Sequence, residues 1–210
     1  MIELFTSAFL TLAVIIDPPG CAPIFAGLTK GTADAHRRAM AIRSALVAWC
    51  ILLFFALFGE PLLSTLGISL SAFRLAGGIM LFMIALDMVF EKRTERREER
   101  AREIEGTPEA DDISVFPMAI PMIAGPGSIA SIMLLSGRAE GTVEQLVVLG
   151  AMTAVIVLTL LALLLAGPLM RLIGVKIEAM ITRILGVILA ALAVQFVLDG
   201  LERSLPGLAG

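Results

Sequence analysis

The chain has 210 residues, of which 58% are hydrophobic, and its mean hydropathy is +0.95. A soluble domain holds roughly 45–50% apolar residues; the excess here, gathered in long runs, excludes that class and indicates a polytopic integral membrane protein of one membrane domain. The formal net charge of −3 says little because the charges are clustered, and Cys21 and Cys50, both in apolar surroundings, imply no secreted disulfide framework.

The first span is expected from about Glu3 to Leu28, with no basic region or cleavage site marking a removed signal peptide. It contains a break, DPPGCAP at 17–23, where Pro18, Pro19 and Pro23 lack backbone donors and Gly20 permits positive φ. A basic, Ala-rich stretch, Lys30 to Arg43, reads as a short amphipathic helix with Thr32 or Asp34 as N-cap. Span 2 is expected at 44–66, with Trp49 in a core or interfacial position, and span 3 at 68–90. Residues 91–112 are charged and of mixed sign, a solvated loop, helical at first and ended by Gly106 and Pro108. Span 4, at 113–136, carries a second break, PMIAGPGS at 121–128. Span 5 is expected at 145–170 and span 6 at 178–198, before a tail with Pro206-Gly207. The fold class is therefore an all-α membrane protein of six spans.

Lys and Arg crowd one set of loops: Lys30, Arg37, Arg38 and Arg43; Lys92 and the arginines of the charged loop; Arg171 and Lys176. The opposite side holds only Arg138 and Arg203. The positive-inside rule then places both termini in the periplasm and loop 91–112 in the cytoplasm. The halves also align. Pro-Gly pairs, Pro61 and Pro168, and Gly67 and Gly174 recur at a spacing of 107 residues (19 to 126, 61 to 168, 67 to 174), and RLAG at 74 matches RILG at 183 after a two-residue insertion. Three spans per half is an odd number, so the halves, 1–90 and 113–210, enter the membrane in opposite senses as an inverted-topology repeat. Broken helices at matching positions of such halves, here spans 1 and 4, point to a transporter's midplane site. Proline and glycine that merely kink packed helices are the bland alternative.

DPPGCAPIF at 17–25, FPMAIPMIAGPGSIAS at 116–131 and RLAGGIMLFMIAL at 74–86 resemble the signatures of the MarC (UPF0056-type) family of bacterial membrane proteins, over nearly the whole chain. The family name refers to multiple antibiotic resistance. Some members transport small neutral amino acids such as glycine and alanine, and the family is grouped with amino-acid exporters of the lysine-exporter type. The resemblance thus implies an inner-membrane transporter, not an enzyme.

The breaks supply candidate chemistry. Gly125, Pro126, Gly127 and Ser128 would open the second half of span 4, whose free N–H groups and partial positive charge can receive a carboxylate; Ser128 could equally cap that helix. Asp17, with Pro19, Gly20 and Cys21, forms the first break. A mid-membrane carboxylate is costly unless paired, protonated or hydrated; it would bind a substrate ammonium or carry an H⁺ or Na⁺ for coupling, or act only as N-cap to Pro18. A small neutral amino acid suits the two ends. Arg74 and Arg183 occupy matching positions, either as anchors that snorkel to the interface or, for Arg74, in a gating ion pair with Glu60 or Asp87. His36 is solitary, so no metal site is expected, and no phosphate loop suggests direct use of ATP. Beyond the solute, the expected contacts are membrane lipids and a further copy of the chain, not nucleic acid. Competing readings are an exporter of another small solute, a thiol-redox carrier, for which the cysteines are not duplicated between halves, and a non-transporting scaffold.

Overall fold

A computed structural model describes residues 1–92, Arg96, Glu99 and 112–204. The expectations for the rest of loop 91–112, including its stop at Gly106 and Pro108, and for the tail beyond 204 lie outside those residues. The described residues are helical, with no strand among them: α1 (Ile2–Ile16), α2 (Pro18–Leu28), α3 (Asp34–Thr65), α4 (Leu70–Val89), α5 (Ser114–Ile123), α6 (Pro126–Ser136), α7 (Thr142–Leu164) and α8 (Ala166–Ser204). Five stretches are long and apolar enough to cross a membrane, α1 and α2 together counting as one; α5 and α6, bent by 56°, make a sixth when taken as a pair.

Local chemistry sets the ends. Pro18 disfavours α geometry at Asp17, which takes the left-handed conformation, φ 59° and ψ 67°, and donates its N–H to Ala13 O at 3.0 Å. Asp tolerates this conformation better than most residues. The same residue is the N-cap of α2, with Pro18 at the first helical position, and its carboxylate accepts the Gly20 N–H at 3.1 Å. Helix α3 closes on Gly67 at φ +71°, with Ile68 N–H to Leu63 O at 2.9 Å and Gly67 N–H to Ser64 O at 3.0 Å, the paired bonds of a Schellman motif. Ser69 then caps α4 through the Ala72 N–H. Helix α8 is interrupted at Gly174, also at φ +71°.

The basic stretch differs from its expectation as a separate short helix. It is the first part of α3, which runs unbroken from Asp34, with Ala33 as N-cap and no side-chain cap. Nothing between Arg43 and Ser44 breaks a helix, and Pro61 lies inside the last turns without ending it.

Helices α1 and α2 are central: 72% of their apolar window is buried, against 33% for α3 and 28% for the end of α8. The main core joins α1 and α2 to α3, α5, α6 and α7 around Leu12, Ile16, Phe25, Leu52, Ile132 and Met152. A smaller core joins α1, α4, α6 and α8 around Ile15, Leu81, Leu134, Leu189 and Phe196. Helix α4 packs most extensively on α8, α7 on α1, with α3 and α2 beside it, and α3 on α5, with α7 and α6 beside it. At the α4–α8 crossing the backbones approach closely: a Cβ on Gly78 would lie 2.9 Å from Ala193 O, and one on Gly186 would lie 2.8 Å from Met88 Cβ. Outward faces carry large apolar side chains such as Phe54, Phe58, Met83, Leu161 and Val187, as lipid contact requires.

Candidate cavity at the second break

Segment α5 is irregular. Met118 N–H bonds Ile113 O and Ala124 N–H bonds Ala119 O, each five residues back, while Phe116 and Ile120 have extended backbone and the bonds before Pro117 and Pro121 are cis. Asp112 precedes it, accepting the Ser114 N–H at 3.1 Å and the Ser114 hydroxyl, and pairing with Arg43. The Ser114 hydroxyl above all, aided by the Ser114 amide and Arg43, holds the Asp112 carboxyl below its ordinary value. The chain then turns through Ala124 and restarts as α6 with Gly125 as N-cap and Pro126 at the first helical position. No side chain caps this end, so its first N–H groups are available to a ligand. Gly125 is required by space: a Cβ there would stand 2.4 Å from Pro121 O.

A cavity of about 210 Å³ opens at this end of α6. Gly125, Pro126, Gly127 and Ser128 line it together with Ile15, Ile84, Pro121, Met122, Asp87 and Arg96. Asp87 and Arg96 form an ion pair whose side chains are 21% and 61% exposed. The cavity thus offers a helix N-terminus and a guanidinium to a carboxylate and a single carboxylate to a cation. It is smaller than the roughly 300–1,000 Å³ of pockets that take drug-sized ligands.

Ser128 does not cap α6 as its position allowed. Its hydroxyl points back to Ile123 O at 2.7 Å and to Gly125 O at 3.0 Å, the latter also accepting the Ile129 N–H as the first bond of α6. In the first break Cys21 does the same, its Sγ lying 3.5 Å from Ile16 O. Donor and carbonyl are five residues apart in both cases.

The other expected residues fall elsewhere. Asp17 is fully buried, meets Gly20 N and Thr182 Oγ1 of α8 (3.5 Å), and is not among the cavity-lining residues; nor are Pro19, Gly20 and Cys21. Arg74 is 1% exposed and enclosed by protein, so it does not snorkel to the surface. Its matching residue, Arg183, is half exposed and pairs with Glu91, which itself has positive φ. Of the two acids considered for Arg74, Asp87 meets Arg96, and Glu60 is exposed in a separate cavity of about 470 Å³ with Ser136, Thr142 and Gln145. No group of His, Cys, Asp and Glu among the described residues could hold a metal ion. Arg96 and Thr182 were not legible as site residues: Arg96 is one of many charges in its loop, and Thr182 is a lone hydroxyl beside a conspicuous arginine.

An all-helical bundle with five or six membrane-length spans and apolar outer faces is an integral membrane protein. The chain belongs to the MarC family of integral membrane proteins, whose model matches residues 2–205. Its relatives include UPF0056 membrane proteins of Archaeoglobus fulgidus (36% identical, covering 97% of this chain and 95% of the relative) and Methanocaldococcus jannaschii (MJ1677; 37%, 97% and 98%). The UPF0056 inner membrane protein YhgN of Escherichia coli is 33% identical over 96% of this chain and 98% of its own length. No solved structure matches.

Proposed function

We propose that this protein is a secondary transporter of small neutral amino acids, of glycine or alanine size, and that the cavity at the start of α6 holds the solute. The observation that carries this reading is the uncapped α6 N-terminus opening into a small cavity that also contains Asp87 and Arg96. The solute carboxylate would take the first N–H groups of α6, supported by Arg96. Its ammonium would take Asp87. Little room remains for a side chain, and Gly127 and Ile84 close the wall. Coupling to H⁺ or Na⁺ fits the absence of a phosphate loop from the sequence. Asp17 serves as the joint between α1 and α2, not as a direct contact in this cavity.

Three sets of paired features support an inverted repeat with broken first and fourth spans. Gly67 and Gly174 share φ +71°. Cys21 and Ser128 make equivalent bonds. The packing also maps onto itself when the halves are exchanged, with the first span against α7 and the fourth against α3. The charge bias and the inner-membrane name of the Escherichia coli relative support an inner-membrane location with both termini in the periplasm.

Binding to the purified protein tests the cavity. Glycine and alanine are expected to raise the melting temperature, whereas acetate and ethylamine, each offering one charge, are not. Asp87→Asn is expected to weaken the effect of glycine about tenfold or more, the loss of a charge-assisted hydrogen bond. A shift from acetate equal to that from glycine would assign the site to anions instead.

A further inference from the structure

We propose that Arg138, Asp199 and Phe196 form a closed gate over a second mouth of the solute site, on the face that carries the α6–α7 turn. The proposal rests on the transporter reading above and adds the way the site reaches that face. Exchange of the two halves converts the lining of the open cavity into a second set of positions. Ser128 becomes Cys21 and Pro126 becomes Pro19 at the spacing of 107; Ile84 becomes Ala193 and Asp87 becomes Phe196 at 109.

The two sets are in different states. Asp87 is 21% exposed and Pro126 and Ile84 reach solvent-accessible space, whereas Phe196 is 4% exposed, Ala193 is fully buried and Pro19 is less exposed than Pro126; Cys21 and Ser128 are both buried. Phe196 fills the place of the carboxylate and packs into the smaller core with Val14 and Ile15. Above it, the Arg138 guanidinium lies 5.0 Å from the Phe196 ring centre and pairs with Asp199. Gln195 donates to the other Asp199 oxygen at 2.7 Å. One residue of the α6–α7 turn is thereby tied to two successive turns of α8. The bundle is open at the second break and shut at the first. Releasing Arg138 lets α8 draw Phe196 away and opens the mate of the cavity around Cys21.

Cys21 is a native reporter of that opening, and its labelling needs no knowledge of the solute. In a Cys50→Ser background, a membrane-impermeant methanethiosulfonate reagent is applied to each side of oriented membranes. Cys21 is expected to react slowly in the parent and about tenfold faster in Arg138→Ala and Asp199→Asn, the combined strength of a partly buried ion pair and a cation–π contact. Reaction is expected only from the side of the α6–α7 turn. Ile84→Cys, in a parent that also carries Cys21→Ser, is expected to react from the opposite side, because Ile84 lines the open cavity and is partly exposed. If either gate variant fails to fold, Phe196→Ala carries the same expectation without touching the ion pair. Unchanged Cys21 reactivity in folded variants, or reaction from the wrong side, overturns the gate. Faster labelling together with no amino-acid binding would keep the gate and remove the proposed solute.

Discussion

Asp17 performs two structural tasks, and they demand different chemistry. Its left-handed backbone ends α1, and its side chain caps α2 through Gly20 N. Asn satisfies both requirements, because it accepts the same hydrogen bond and tolerates the left-handed region. Ala satisfies neither. Asp17→Asn is therefore expected to lose less stability than Asp17→Ala, which gives up about 2 kcal/mol, the combined cap and backbone cost. Chemical denaturation of the two variants in detergent measures this. Equal losses would show that the charge, and not the geometry, holds the joint. A carboxylate inside an apolar span is visible in the sequence, but its surroundings are not. Thr182 reaches Asp17 across 165 positions of chain, and no local pattern announces that contact.

At the scale of elements, two glycines in positions that the sequence alignment pairs share φ +71°. Gly67 ends α3 and Gly174 interrupts α8, and an added Cβ at either would meet nothing within 4 Å. A substitution there is resisted by backbone conformation alone. Gly67→Ala is expected to cost about 1–2 kcal/mol, and Gly174→Ala, at φ +71° and ψ 159° in a region essentially reserved for glycine, at least as much, in equilibrium unfolding. A cost at one site and none at the other would argue that the halves are built differently. The spans themselves were legible because apolar runs, prolines and glycines act locally. The continuity of α3 was less so: a change from basic to apolar composition at residue 44 looks like a boundary, yet a helix crosses it wherever no residue breaks the backbone ladder. Both breaks were legible too. What Ser128 does there was not, since a serine near a helix start suits an N-cap as well as it suits a donor to the preceding carbonyls.

Across the whole molecule, the two breaks differ in access. The break in the second half faces a cavity with Asp87 and Arg96, whereas Cys21 of the first break is packed within the main core. This difference could not be read from the sequence, because both breaks carry the same Pro-Gly pair. Residues on α4 and α8 that the alignment of halves brings into register differ there, a carboxylate in one and a phenyl ring in the other. A protein that moves a solute needs such a site to be reached from each side in turn. The most direct measurement is counterflow of labelled glycine and alanine in proteoliposomes, comparing the natural protein with Gly127→Leu. A side chain at Gly127 grows from a Cβ only 2.6 Å from Ile84 Cδ1 and occupies the cavity. Saturable exchange by the natural protein, lost in a folded Gly127→Leu variant, is the expected result. Exchange that persists with the cavity filled, or no exchange of any neutral amino acid by folded, reconstituted protein, would contradict a solute site at the second break.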